Sequence, residues 1–187
     1  SGTLRDHGGT VAWARPAPDG MSALAADVFG DQAAIYEREM QPDHPGGRLF
    51  SGLAATADDV QVLKRGASAF FPGKCDLSQI LRDHGIDTVL VAGTVTNVCC
   101  ESSARDATEL GFRVIMIADA NAGHAHGLHE AAPNTFYRSF GDVRSTAELL
   151  ELIASSGEGR LPGGVPALHD AGPDLDRDLR RLRCGLR

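Results

Sequence analysis

Three segments of the chain repeat one pattern, and that pattern restricts the fold more than any other feature. Leu4-Arg5-Asp6-His7-Gly8 runs into Thr10-Val11-Ala12-Trp13-Ala14, and Leu81-Arg82-Asp83-His84-Gly85 runs into Thr88-Val89-Leu90-Val91. Thr108-Glu109-Leu110-Gly111 runs into Val114-Ile115-Met116-Ile117 in the same way. Each reads as the last turn of a helix, a glycine stop and a short β-rich strand. Strands that are apolar throughout need cover on both faces, so the expectation is an α/β fold around a parallel sheet. Further strands are expected at Val60-Gln61-Val62-Leu63 and Asp142-Val143-Arg144, with helices at about 76–84, 98–110, 127–138 and 145–154. Residues 16–58 read as one helix near 22–39 and a Pro/Gly-rich loop from Gln41 to Gly47. From Ser155 onward glycine, proline and charge replace the pattern. Residues 1–154 are therefore expected to form a single domain and 155–187 a tail, with a short basic helix at Asp174 to Arg183. Leu4 to Gly8 reads as the end of a helix whose start, and whose preceding strand, lie outside this sequence.

The second unit leads into the chemistry. Val89 to Ala92 is an apolar run of buried-strand length that breaks at Gly93, and a helix restarts with Thr96 and Asn97 as candidate N-caps. Cys99 then stands in the first helical turn, just past the carboxyl end of a strand. Unpaired main-chain N–H groups and the positive end of the helix dipole favour a thiolate there. From this local pattern alone, a buried structural cysteine is an equal reading. Cys100 is an alternative nucleophile by composition, but on a helix it points about 100° away, so one of the two faces the site and the other packs. Cys75 and Cys184 read as structural or exposed.

In open parallel sheets, sites form beyond the carboxyl ends of the strands. The residues expected there are Trp13 and Arg15, Lys64 and Arg65, Gly93 to Cys99, and Asp119 with Asn121. The chain holds 18 Lys+Arg, yet its only lysines are Lys64 and Lys74. A sequence so biased to arginine that still places a lysine can use a cation able to lose its proton. Lys64 beside Cys99 would form a Cys/Lys nucleophile pair; a solvent-facing strand-end lysine is the plain alternative, and the expected state of Lys74.

Bulk properties narrow the class. A net charge of -7, with no basic stretch before the last dozen residues, argues against nucleic-acid and anionic-membrane partners. No segment approaches the roughly 18 apolar residues of a membrane span. Four cysteines, two of them adjacent, make a poor disulfide framework, so reduced thiols and a cytoplasmic setting are expected.

The stretch Val91-Ala92-Gly93-Thr94-Val95-Thr96-Asn97-Val98-Cys99-Cys100-Glu101-Ser102-Ser103-Ala104-Arg105-Asp106-Ala107 resembles the nucleophile segment of the isochorismatase-like cysteine hydrolases. Lys64-Arg65-Gly66-Ala67-Ser68-Ala69-Phe70 resembles their lysine motif, and Val114 to Ala120 the following strand with its terminal Asp-Ala. The likeness runs from about Thr10 to Ile153, and its wording is nearest the streptothricin hydrolase and ureidoacrylate amidohydrolase branches. It implies a three-layer α/β/α sandwich around a six-stranded parallel sheet and an Asp/Lys/Cys triad. By motif, Cys99 is the nucleophile and Lys64 the triad lysine. The oxyanion hole falls on the N–H groups of Val95 and Cys99, with a cis peptide at Thr94-Val95. Trp13, Phe70 and Asn97 are expected to shape the pocket, although core packing and an N-cap are their plain alternatives. The implied reaction is hydrolysis of a C–N bond in an amide, ureide or lactam-like molecule through a thioester. Members that cleave the vinyl ether of isochorismate do not use the cysteine. No metal or other cofactor is expected, and a homo-oligomer is, with residues 16–58 and the tail as contact and lid regions.

One departure bears on the triad. The family's aspartate sits at the end of the first strand in an Asp-x-Gln motif, and this sequence has no such segment; Asp6, Asp19 and Asp31 stand in other contexts. A second reading follows, of an impaired member that serves as a binding or assembly subunit. Two further patterns carry less. Cys99 and Arg105 satisfy the Cys-x5-Arg spacing of tyrosine phosphatases, but the intervening loop lacks glycine and contains Glu101. Asp43-His44 has no second histidine nearby, and His124, His126 and His129 fall at a helix start, where histidines cap or face solvent.

Overall fold

The structure, a computed structural model, describes residues 1–155. The expected basic helix at Asp174 to Arg183 and nearly all of the expected tail lie outside the described residues. The chain alternates helix and strand: α1 (Gly2–Asp6), β1 (Ala12–Pro16), α2 (Ala23–Phe29), α3 (Asp31–Glu39), β2 (Val60–Lys64), α4 (Leu77–Asp83), β3 (Thr88–Thr94), α5 (Glu101–Glu109), β4 (Arg113–Ala122), α6 (His126–Ser139), β5 (Asp142–Arg144) and α7 (Thr146–Ser155). All strand pairings are parallel.

The repeated pattern has one physical cause. Gly8, Gly85 and Gly111 follow α1, α4 and α5 with φ of 76°, 69° and 88°, the left-handed region that a side chain disfavours. In each case the next residue donates back over the glycine: Gly9 to Leu4 O (2.8 Å), Ile86 to Leu81 O (2.9 Å) and Phe112 to Ala107 O (3.0 Å). These bonds satisfy carbonyls that the helix end leaves free, and they turn the chain into the following strand. The segment expected as one helix near 22–39 is two. Gly30 at φ 56° breaks it into α2 and α3, and Ser22 starts α2 by accepting from Ala25 N–H at 3.2 Å.

The strands do not join in one six-stranded sheet. β1 pairs with β2, and β3, β4 and β5 form a separate three-stranded sheet in that order. Only β4 has two neighbours, and nothing among the described residues lies hydrogen-bonded between the two sheets. Side-chain alternation along β4 sends Val114 and Met116 to a core shared with α4, α5 and α6, and Ile115 to a second cluster with Leu149 and Ile153 of α7. Helices thus cover this sheet on both faces, the expected three layers. Phe136 of α6 is fully buried in the larger core. Phe136→Ala is expected to cost about 3–5 kcal/mol, read from a urea unfolding midpoint.

The amino-terminal end of the small sheet is tied by Asp59. Its carboxylate accepts from Arg5 Nε (2.9 Å) and Nη2 (2.7 Å), from Trp13 Nε1 (2.8 Å) and from Thr56 N–H (2.8 Å). The Arg5 hydrogen bonds foremost, with those of Thr56 and Trp13, hold the carboxyl well below the usual range. A depressed folded pKa means that this stabilisation is complete above the ordinary aspartate pKa of about 3.9 and fades as the pH falls toward the folded value. Asp59→Asn is expected to lower Tm by about 5 °C near neutrality. The gap from wild type should close as the medium is acidified below about pH 3, which calorimetry across pH would read.

Candidate active site

The cysteine stretch leaves β3 at a designed irregularity. Pairing with β4 runs Val91↔Met116 and then jumps to Gly93↔Asn121, and Gly93 takes φ 134° at the jump. Asn121 closes the gap by donating from Nδ2 to Val91 O (3.0 Å) and Ile117 O (2.7 Å). The Thr94-Val95 peptide is cis. Thr96–Cys100 then forms a wide helical turn in which Val95 O accepts from Val98 N (3.1 Å) and Cys100 N (3.2 Å), before the chain tightens into α5. Neither expected N-cap residue caps. Val95 occupies that position, the Thr96 hydroxyl meets His129 Nδ1 at 2.8 Å, and Asn97 Oδ1 is buried with no partner among the described residues.

The structure brings Lys64 and Cys99 together. Lys64 closes β2 with 6% of its surface exposed, and its Nζ donates to Gly66 O (2.8 Å) and Cys99 Sγ (3.3 Å). A second bond fixes the same approach: Ala69 N–H donates to Ser103 Oγ at 2.9 Å, joining the loop after β2 to α5. No salt bridge reaches Lys64 among the described residues, so this nearly buried ammonium has a carbonyl and a sulfur as partners and no carboxylate. The candidate acids are engaged or remote: Asp19 pairs with Arg65 at 3.2 Å, Asp31 lies in the first turn of α3, and Asp6 lies in α1.

Cys99 is partly exposed, whereas Cys100 is buried and burial pushes its thiol up to about 12, with the charge of Cys99 adding to the rise. Cys100 therefore stays protonated and packs in the core. Burial also raises the Cys75 thiol. A cleft of about 390 Å³ lies between the loop after β2 and α5; its lining includes Arg65, Gly66, Phe71, Lys74, Ser102 and Asp106, and neither Lys64 nor Cys99.

Two expected pocket residues sit elsewhere. Trp13 leans to the amino-terminal end of its strand because Asp59 takes its indole N–H. Phe70 is 2% exposed and packs edge-on against Phe112 at 5.5 Å, so its neighbour Phe71 is the phenylalanine on the cleft. Tyr36 of α3 is a residue that sequence reasoning missed. Burial first, and then the charge of Cys99, raise its phenol pKa. No local motif marks it.

Arg105 does not serve a phosphate loop. It bonds Glu101 one turn back and lies over the Phe140 ring at 4.3 Å. The histidines are dispersed: His44 Nδ1 accepts from Gly46 N–H (3.2 Å), His126 meets Glu130 at 3.3 Å, and His129 meets Thr96. Among the described residues, no three His, Cys, Asp or Glu side chains gather as a metal-holding group. Asp119 starts α7 by accepting from the Thr146 N–H (2.7 Å) and hydroxyl (2.8 Å). No helix of the described residues is long and apolar enough to cross a membrane.

In a parallel α/β fold, a lysine that closes β2 thus meets a cysteine just past β3. The isochorismatase domain model matches residues 3–148, and the chain belongs to the isochorismatase family of hydrolases. The isochorismatase family protein YecD of Escherichia coli O157:H7 is 37% identical over 143 residues, 76% of this chain and 71% of that one. The ureidoacrylate amidohydrolase RutB of Agrobacterium fabrum is 32% identical over 145 residues, 76% of this chain and 55% of its own. Among solved structures, a cysteine hydrolase from Pseudomonas syringae pv. phaseolicola superposes with a TM-score of 0.73 at 29% identity, covering 83% of this chain and 76% of that one.

Proposed function

We propose that the protein is a cysteine hydrolase that cleaves the C–N bond of a small amide, ureide or lactam-like molecule. The observation that carries this reading is the 3.3 Å contact between the nearly buried Lys64 Nζ and the partly exposed Cys99 Sγ. The ammonium stabilises the thiolate, which attacks the substrate carbonyl. The N–H groups of Val95 and Cys99 receive the oxyanion. Collapse breaks the C–N bond, the nitrogen leaves with a proton as ammonia or an amine, and a thioester remains on Cys99. Water then attacks the thioester, the C–S bond breaks, and the acid departs. Asn97, whose Oδ1 is buried without a partner two residues before Cys99, accepts an N–H from the amide.

The proton carrier in this scheme is the aspartate of the family's Asp/Lys/Cys triad. One feature supports it: Lys64 is 6% exposed and has no acidic partner among the described residues. The free thiols Cys75, Cys99 and Cys100 fit a reducing, cytoplasmic setting. Leu24 and Val28, 76% and 80% exposed on one side of α2, suit contact between copies in a homo-oligomer.

The lack of a carboxylate at Lys64 among the described residues also favours a second reading, a binding or assembly subunit that has lost turnover. Ammonia release from a panel of small amides and ureides separates the two. The hydrolase reading expects release that depends on Cys99. A folded protein that releases nothing, and whose Cys99 reacts with iodoacetamide no faster than an ordinary thiol, favours the subunit.

A further inference from the structure

Thr96 opens the wide turn, next to the cis peptide and three residues before Cys99, and it is 0% exposed. Among the described residues its hydroxyl has one partner, His129 Nδ1 at 2.8 Å. At its other end the turn is held by Cys100 in the core and by Lys64 at Cys99, but no side chain caps it, and a single carbonyl, Val95 O, serves two of its N–H groups. His129 itself is firmly placed. Its N–H donates to Ala125 O at 2.9 Å in the first turn of α6, and a side chain at position 123 would stand 3.3 Å from its Cβ, so Gly123 lets α6 settle against the end of β4. The ring stands between buried Thr96 and a small pocket of about 240 Å³ lined by Asn121, Ala122, Gly123 and His126.

We propose that His129 is a positioning residue for Cys99: through the Thr96 hydroxyl it holds the wide turn so that Sγ stays at Lys64 Nζ. A buried hydroxyl with one partner has one satisfied orientation, and losing that partner frees the turn to shift. Displacement of a reacting atom by a fraction of an ångström is enough to slow its chemistry. The turnover part of the test rests on the amide-hydrolase reading; the thiol-reactivity part does not.

The test uses the full chain and two readouts, the rate constant for iodoacetamide alkylation of Cys99 and, on an amide that the wild type hydrolyses, kcat and KM. His129→Ala and Thr96→Val are each expected to slow alkylation about tenfold and to lower kcat with little change in KM. Their double variant should be no slower than the slower single, because both remove one bond. His129→Asn, which keeps a polar atom near the Nδ1 position, and Thr96→Ser should recover most of the rate, whereas His129→Gln, which reaches toward Nε2, should not. If His129→Ala fails to fold, the Asn and Gln variants decide alone. Unchanged alkylation in folded His129→Ala, multiplying effects in the double variant, or equal rescue by Gln and Asn would overturn the proposal. A wild type that releases no ammonia while the alkylation pattern holds would overturn only the hydrolase reading.

Discussion

Cys99→Ser is expected to lower amide turnover by about 10³-fold or more, while Cys100→Ala keeps turnover of the wild-type order. The two thiols are neighbours in sequence and opposites in environment. Cys99 is partly exposed and 3.3 Å from an ammonium, whereas Cys100 is 5% exposed among apolar side chains that push its thiol to about 12. A serine at 99 keeps the shape but replaces the strongly nucleophilic sulfur with a much weaker hydroxyl oxygen. At position 100 the loss is packing, expected at about 1 kcal/mol and visible as a lower Tm rather than a lower kcat. Steady-state kinetics on both variants, with melting curves alongside, reads the contrast. Loss of turnover in Cys100→Ala with full activity in Cys99→Ser would reverse the assignment.

Lys64→Met is expected to reduce kcat by about 10²–10³-fold and to slow alkylation of Cys99 at neutral pH by roughly tenfold. Methionine keeps the buried stem and removes the charge, so the change isolates the ammonium from the packing around it. Lys64→Arg should not restore the rate. The space at 64 is 6% exposed and its Nζ serves a carbonyl and a sulfur as a point donor, which a planar guanidinium cannot reproduce. Full activity in either variant would remove the lysine from the reaction.

What was legible in the sequence was mostly local. The three glycine stops were read because the left-handed residue and its back-donating neighbour are fixed within six positions of chain. Cys99 and Lys64 are legible from strand ends and motif wording, and they meet at 3.3 Å although β2 and β3 lie in separate sheets. Long-range choices were not legible. Trp13 and Arg5 converge on Asp59 from separate segments, and Thr96 bonds His129 rather than capping its own helix. Gly30 was in plain view, but the apolar spacing on either side of it made one helix look continuous. The split of the sheet could not be read from propensity, because a strand's pairing depends on what lies at its edge and not on its own residues.

The most direct test of the central claim, that Cys99 is the nucleophile toward a carbonyl, is intact-mass measurement after incubation with an electrophilic amide analogue, followed by peptide mapping. The account predicts one adduct on wild type, located at Cys99 and absent from Cys99→Ser. No adduct on wild type, or the same adduct on Cys99→Ser, would contradict it.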